Sequence, residues 1–239
     1  MEDSDLVSNL IDKTSFLEVS DEETNLENTI VNTTHFPIIA KILYDKPLNN
    51  NAIKSTLIKA WGLHPKIHTN VVDQNTVVFL LENENDRRRI WNLSPWSFLG
   101  NLIVSKPWLP EEALEDVDLS KIQIWVQATG VPVRFVNKAT AEKIGNTVGK
   151  FIGTDLATEG HKWRKSLRIR VEVEIKEPLK DHVVIKCQEN KSFVLEIRYE
   201  RLGDFCHVCG ILGHKISSCC NKPPHEQPDF FQIWSLAEN

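Results

Sequence analysis

Long apolar runs are missing from this 239-residue sequence, and none approaches the ~18 residues that a membrane-spanning helix requires. The first residues are acidic and polar rather than cationic and then apolar, so we expect no secretory signal peptide here. Common enzyme signatures are also lacking: there is no P-loop, no G-x-S-x-G, no H-E-x-x-H and no aspartic-protease or polymerase motif. We therefore expect a non-enzymatic intracellular protein, nuclear or cytoplasmic, with no membrane partner.

Cysteine is scarce, with five residues, and four of them lie in the last fifth of the chain. Such clustering favours metal binding in a reducing compartment over a disulfide framework. Cys206, Cys209, His214 and Cys219 follow the spacing C-x2-C-x4-H-x4-C, a closed tetrahedral ligand set for one structural Zn²⁺ ion. Cys220 is a competing fourth ligand, but we favour Cys219 because it gives the knuckle spacing.

Two glycines strengthen the prediction of a metal site. Gly210 follows the second cysteine and Gly213 precedes the histidine, where a chain that turns tightly around an ion benefits from the absence of a Cβ. The segment is too short to build its own core, so metal binding must supply its folding energy. It resembles the CCHC zinc knuckle, a module found among RNA-binding folds.

The net charge of −5 conceals an uneven distribution of charge along the chain. Residues 1–36 carry nine acidic residues and one lysine, and residues 223–239 carry three acidic residues and no Lys or Arg. The span between them holds 27 basic and 21 acidic residues, a net charge of +6. A basic body of this kind is compatible with a polyanion partner, although many proteins that bind no nucleic acid share it.

Apolar periodicity predicts the order β-α-β-β-α-β in the first half of the chain, as in ferredoxin-like and RNA-recognition domains. The two central strands carry few aromatic residues, so we do not expect standard base stacking on this sheet. The predicted strands cover 36–43, 66–72, 77–81 and 97–108, and the predicted helices cover 49–61 and 83–93.

A β-rich region follows, and its strictly alternating segment 167–175 predicts a strand with one buried and one solvated face. The predicted fold class is therefore α+β: a ferredoxin-like or RNA-recognition-like domain, a β-rich region and a zinc knuckle. We expect an acidic disordered tail over 1–35, the α+β domain over 36–110, a linker over 111–120, the β-rich subdomain over 121–201, the knuckle over 202–222 and a flexible tail over 223–239.

The segment 161–170 combines five Lys or Arg residues with one tryptophan. Cations that follow phosphates, together with an aromatic ring that stacks on bases, are typical of single-strand binding. The alternative is a solvated hairpin whose tryptophan packs on the core. The predicted nucleic-acid contacts in this segment are Lys162, Trp163, Arg164, Lys165, Arg168 and Arg170.

Three knuckle residues are further candidates for nucleic-acid contact: His207, Ile211 and Lys215. In retroviral-type knuckles, the residue after the first cysteine and a second hydrophobic residue form an apolar cleft for an unpaired base. His207 stands where Phe or Tyr is common, so its stacking is expected to be weaker and dependent on pH. The alternative is that His207 and Ile211 pack the loop against the neighbouring domain.

Further landmarks extend over residues 36–220. They are Trp61-Gly62-Leu63, the segments 92–98 and 124–126, the turn 130–132 and the segment 199–206 that leads into the knuckle. Together they resemble a plant family in which a conserved domain of unknown function precedes a C-terminal CCHC zinc knuckle. Members occur in LINE-type retrotransposons and in genes derived from them. The resemblance implies binding of zinc and of nucleic acid.

Two functions are therefore predicted. The first is a zinc-dependent, non-catalytic nucleic-acid-binding protein of retroelement origin that prefers single-stranded RNA or DNA. The second is a protein-interaction module in which the zinc knuckle is purely structural. Self-association and an unidentified protein partner stay open under both.

Overall fold

The computed structural model describes residues 35–109, 111–156, 166–186 and 191–220. Within these ranges the chain is mixed helix and sheet, with two five-stranded sheets. In the first sheet the strand order is β2-β3-β1-β5-β4, and all neighbouring strands are antiparallel. Its strands are β1 (Phe36–Ile42), β2 (His68–Asp73), β3 (Thr76–Leu81), β4 (Trp96–Phe98) and β5 (Asn101–Pro107).

Two helices connect strands of the first sheet. Helix α1 (Asn50–Ala60) lies between β1 and β2, and α2 (Glu84–Asn92) lies between β3 and β4. Asn49 and Asn83 cap them by accepting hydrogen bonds from backbone N–H groups of the first turn. The bounds differ from the predicted 49–61 and 83–93 by one residue at each end. None of the described helices is long and apolar enough to cross a membrane.

The prediction of one strand over 97–108 is wrong, because this segment forms the hairpin β4–β5. Leu99 and Gly100 make the turn with φ angles of +51° and +84°. Two residues with positive φ match the twist of a tight hairpin. Leucine rarely adopts such a φ, so the sequence carries only the glycine as a signal.

Both faces of the first sheet are covered. On the helical side, Ile38 and Phe79 pack in a core with Trp61. On the other side, Ile39 and Val78 are 2% and 1% exposed, and segment 111–120, the predicted linker, packs there through residues that include Leu114, Val117 and Leu119. The aromatic residues of β1 and β3 are Phe36 and Phe79, and Phe79 is fully buried.

The second sheet has the strand order β7-β8-β6-β10-β9, again antiparallel throughout. Helix α3 (Lys138–Val148) buries Ala141, Ile144 and Val148 in the core of this sheet. The alternation predicted for 167–175 is confirmed on its buried side, where Leu167, Ile169, Val171 and Val173 point inward. The strands are β6 (Lys121–Thr129), β7 (Lys150–Thr154), β8 (Ser166–Glu174), β9 (His182–Lys186) and β10 (Ser192–Tyr199).

Two arginines of the second half hold the end of α2. Arg170 donates to the carbonyl oxygens of Trp91 (3.0 Å) and Asn92 (3.3 Å), and Arg201 donates to that of Leu93 (3.2 Å). The last carbonyls of a helix have no partner within the helix and carry its negative dipole end. Cationic donors from the second half therefore both cap α2 and join it to the second sheet.

Candidate metal centre and nucleic-acid interface

The structure brings the four predicted zinc ligands together. The ligand atoms of Cys206, Cys209, His214 and Cys219 all lie within 4.8 Å of one another, and Cys209 Sγ is 3.3 Å from His214 Nε2. Zinc bonds of about 2.0–2.3 Å in a tetrahedron correspond to ligand separations of roughly 3.5–3.8 Å. The donor set therefore fits one zinc ion, whereas the exposed Cys220 lies outside the cluster.

A short backbone ribbon presents the first two cysteines. Phe205 and Leu212 form an antiparallel bridge, the N–H of Cys206 donates to Ile211 O (3.0 Å), and the N–H of Gly210 donates to Cys206 O (2.8 Å). Gly210 adopts a φ of +72°, which an L side chain rarely adopts. The ribbon thus reverses direction within a few residues, and both of its thiols belong to the ligand cluster.

The second half of the knuckle delivers the other two ligands. Gly213 adopts a φ of +84° just before His214. A 3₁₀ turn over Ile216–Ser218 then brings Cys219 back, with its N–H donating to Ile216 O at 3.2 Å. The glycine positions that the sequence singled out are therefore the positions where the chain turns around the metal site.

The thiols influence one another. Burial raises the pKa of Cys206, but hydrogen bonds from the backbone N–H groups of Cys209 and Val208 outweigh it, and the net pKa is lowered. Burial raises the pKa of Cys209 to about 11, and the adjacent Cys206 and Cys219 add to the rise. Three thiolates this close repel one another, so a bound cation is needed to keep all of them ionised.

The knuckle is docked on the rest of the fold. Phe205 and Leu212 belong to the same buried cluster as the core of the second sheet. Gly210 O accepts a hydrogen bond from the N–H of Leu179 at 3.0 Å. On the other side a Cβ added to Gly213 would lie only 3.3 Å from the Cβ of Leu43, just after β1. Both halves of the molecule therefore support the metal site.

The knuckle residues that were predicted to contact nucleic acid also interact with other residues of the protein. The His207 ring packs on Phe205 with centroids 4.4 Å apart, and Ile211 is half-buried. Lys215 pairs with Asp204 at 3.0 Å while its side chain stays 62% exposed. Contact of these residues with nucleic acid stays a prediction.

A cleft of about 480 Å³ opens beside His214, and sequence reasoning missed it. Its far wall is the loop after β1, with Tyr44 and Lys46. The buried Asn75 fixes this loop: its Nδ2 donates to the carbonyl oxygens of Tyr44 (3.1 Å) and Lys46 (2.8 Å), and its Oδ1 accepts from the N–H of Leu48 (2.8 Å). No local pattern predicts this cleft, because its walls come from distant segments of the chain.

The basic segment is only partly described. Lys162, Trp163, Arg164 and Lys165 lie outside the described residues. Arg168 makes a bidentate ion pair with Glu200, at 2.8 Å and 2.9 Å, and its guanidinium lies 3.9 Å from the centroid of the Trp125 ring.

Arg170 is 8% exposed, and burial, followed by repulsion from Arg168, lowers its pKa. Its donors are directed at the end of α2, away from solvent. Both described arginines therefore have structural partners, Trp125 and Glu200 among them, that lie far away in the sequence. Their predicted role in nucleic-acid binding stays a prediction.

Comparison with known proteins agrees with this architecture. Residues 34–116 match the family described as "Domain of unknown function (DUF4283)", and residues 173–221 match the family described as "Zinc knuckle". The predicted order, a domain of unknown function followed by a C-terminal CCHC zinc knuckle, is confirmed.

The chain is also similar to a plant protein, the uncharacterized protein At4g02000 of Arabidopsis thaliana. The identity is 26% over 125 residues, which is 52% of this chain but only 39% of the relative's length. A solved structure of the RNA-binding domain of Hrp1 in complex with RNA aligns with 68% of this chain and 96% of that chain, at 10% identity. Its TM-score of 0.28 is too low to carry an argument about fold or function.

Proposed function

We propose that this protein is a non-enzymatic, zinc-dependent nucleic-acid-binding protein of retroelement origin, with a preference for single-stranded RNA or DNA. The observation that carries the proposal is the assembled set of three cysteines and one histidine inside the segment that matches the zinc knuckle family. A four-ligand site is closed and leaves no position for a catalytic water. Cysteines clustered as metal ligands belong in a reducing, intracellular compartment.

One structural Zn²⁺ ion would be held by Cys206, Cys209, His214 and Cys219. When bound, the ion supplies folding energy to the knuckle and neutralises the thiolates. The protein itself contributes the turns at Gly210 and Gly213 and the backbone N–H groups that favour the Cys206 thiolate.

The first sheet supports a ferredoxin-like assignment, with β4 as an added edge strand. Without β4 the order is β2-β3-β1-β5, antiparallel throughout, and α1 and α2 occupy the two crossovers. The sheet face opposite the helices is covered by the segment around Leu114 and Val117. Bases have no access to that face, so nucleic acid is expected to bind elsewhere.

The cleft beside His214 is a suitable place for an unpaired base. Tyr44 is 39% exposed there and Leu99 is 77% exposed, so an aromatic ring and an apolar side chain are available. Asp45 and Asp204 also line this cleft, and Lys215 pairs with Asp204 at 3.0 Å. Lys46 is therefore the cation placed to approach a phosphate. Stacking of a base on an aromatic ring contributes about 1–3 kcal/mol.

A second function, a protein-interaction module with a purely structural knuckle, is favoured by one observation. Phe205 and Leu212 are buried in the core of the second sheet, and the His207 ring packs on Phe205. In this case zinc would only fix the C-terminal loop.

A salt-titrated binding panel with single- and double-stranded RNA and DNA separates the two functions. We expect the zinc-loaded protein to bind single strands best, with affinity that falls as salt rises. Cys206→Ser should weaken binding, and so should charge reversal at Lys162, Arg164 and Lys165. Cys220→Ser is the matched control, since this exposed thiol is outside the cluster.

Absence of binding to all four probes at low salt would refute the nucleic-acid proposal and favour the interaction module. Equal affinity for double-stranded and single-stranded probes would refute the single-strand preference but not nucleic-acid binding itself. If Cys206→Ser and Cys220→Ser change the affinity equally, the proposal that binding depends on zinc is wrong.

A further inference from the structure

A groove of about 650 Å³ runs between helix α3 and strand β9 of the second sheet. β9 is the last strand of that sheet, so its outer edge has no neighbouring strand within the described residues. The floor of the groove is apolar, with Ile144 from the helix and Val183 and Ile185 from the strand. Neither the sequence patterns nor the family matches point to this site.

Three cations surround the groove from separate elements. Arg134 precedes α3, Lys143 lies on α3, and Lys186 ends β9. All three are exposed, and within the described ranges none of them makes a salt bridge. By contrast, Arg87, Arg88 and Arg89 on α2 are all paired with neighbouring carboxylates. The groove therefore offers a concentration of positive charge that no ion pair neutralises among the residues that the structure describes.

An anchored aromatic ring lies at the same place. The guanidinium carbon of Arg134 is 4.6 Å from the centroid of the Phe135 ring, and Phe135 meets Phe193 of β10 edge-on at 6.3 Å. The Phe135 ring thus contacts a second aromatic ring, and the flat Arg134 guanidinium lies over it. Guanidinium and aromatic planes are the surfaces on which unpaired bases stack.

We propose that this groove binds the backbone of single-stranded nucleic acid, with Lys143 and Lys186 facing phosphates and the Arg134–Phe135 pair facing a base. Unneutralised cations around an apolar floor with a stacking surface combine the two elements of sequence-independent single-strand binding. An acidic peptide would use the cations but not the stacking surface. The inference rests on the proposed function and adds a second contact surface, on the second sheet, to the knuckle.

Removal of the two lysine charges tests the groove directly. For the zinc-loaded full chain with a single-stranded RNA, Lys143→Gln/Lys186→Gln should reduce the slope of log K against log salt by about 1.4, since each phosphate contact on a single strand contributes roughly 0.7. The control Lys66→Gln/Lys176→Gln removes the same charge from exposed lysines that do not line the groove. Zinc content and thermal unfolding of each variant establish that it is folded.

A second measurement does not depend on substitution. The unaltered protein is cross-linked to an RNA that contains a photoreactive uridine, and the cross-linked peptide is mapped. We expect a peptide that contains Arg134 and Phe135.

The outcomes separate this inference from the proposed function. If the unaltered protein binds no nucleic acid, the proposed function itself is wrong. If it binds, but the groove and control variants have equal slopes, or the cross-link maps only to the knuckle, the groove is not the contact surface. Poly-glutamate serves as a second probe for the unaltered protein and for Lys143→Gln/Lys186→Gln. If the substitutions abolish binding to poly-glutamate but leave RNA binding unchanged, the occupant is an acidic peptide and the inference is overturned.

Discussion

Arg168 and Arg170 lie two positions apart on β8, yet they hold different parts of the molecule together. Arg168 pairs with Glu200 after β10 and covers the Trp125 ring. Arg170 reaches the carbonyl end of α2 in the first half of the chain. Each provides several donors in a fixed plane, which a lysine does not reproduce.

Arg170→Ala should lower the free energy of unfolding by about 2–3 kcal/mol, because it removes charge-assisted hydrogen bonds and leaves helix-end carbonyls without partners. Arg170→Lys should recover only part of this loss. Urea denaturation measures both. Arg88→Ala is the control, since the Arg88 side chain is 70% exposed and such changes stay within about 0.5 kcal/mol. Equal losses at the two positions would contradict a structural role for Arg170.

The ion pair of Glu200 predicts a pH dependence of stability. Burial alone would raise the pKa of the Glu200 carboxyl, but hydrogen bonds from Arg168 and Gln127 outweigh it and hold the pKa below its ordinary value. The pair therefore stabilises the fold above the pKa of the unfolded chain, about 4.3, and this contribution is lost as pH falls through the lower folded pKa.

Urea midpoints between pH 6 and pH 3 should fall more steeply for the unaltered protein than for Glu200→Gln, which cannot titrate at this position. Parallel curves would show that the Glu200–Arg168 pair adds nothing to acid sensitivity.

Residues differ in how well the sequence predicts their contacts and conformation. The ligand set from Cys206 to Cys219 is local, and spacing alone identifies it. Arg168 binds Asp155 nearby, but its partner Glu200 and the α2 carbonyls that Arg170 binds are more than thirty residues away. Strand alternation therefore placed the two arginines on one face but did not reveal what covers that face. Leu99 is a third case, because its positive φ is imposed by the hairpin rather than favoured by its side chain.

At the scale of elements, the zinc knuckle couples the metal site to the core of the second sheet. Its Phe205 and Leu212 are part of the core of the second sheet, and its Gly210 carbonyl is bonded to Leu179. A change in the knuckle is therefore transmitted to residues well outside it.

Removal of zinc with a chelator should lower the midpoint of the main thermal unfolding transition by roughly 4–8 °C, the shift that corresponds to about 2 kcal/mol in a chain of this size. Zinc should restore the midpoint and magnesium should not, because thiolates are poor ligands for magnesium. Tryptophan fluorescence during heating reports the transition. An unchanged midpoint after complete removal would show that the knuckle unfolds independently.

Periodicity predicted the helices well but not how elements cover one another. The acidic segment 111–120 was expected to be a linker, yet Leu114, Val117 and Leu119 pack on the first sheet. The groove residues Arg134, Lys143 and Lys186 are spread over more than fifty positions. Only the packing of α3 beside β9 brings them together, and no local pattern records that packing.

At the scale of the whole molecule, the acidic N-terminal segment offsets the basic body. Removal of residues 1–33 takes away nine acidic residues and one lysine and changes the net charge from −5 to +3. The shortened protein should bind single-stranded RNA more tightly at low salt, and the difference should shrink as added salt screens charge.

Fluorescence anisotropy over a series of salt concentrations measures this effect. A full-length variant whose nine N-terminal acidic residues are changed to Asn or Gln is the control, since it keeps the length and loses the charge. If the deletion tightens binding and the neutral variant does not, the cause is something other than charge.

The covered face of the first sheet also determines how much of the chain is needed to bury that sheet. The match to the domain of unknown function ends at residue 116, before Val117 and Leu119, which help to cover Ile39 and Val78. Leu102 and Val104 of the same sheet pack with the core of the following sheet. The matched segment 34–116 therefore lacks some of the residues that bury its own apolar surface. A fragment of residues 34–116 alone would therefore leave part of this apolar face uncovered, and the two sheets are expected to fold as one unit.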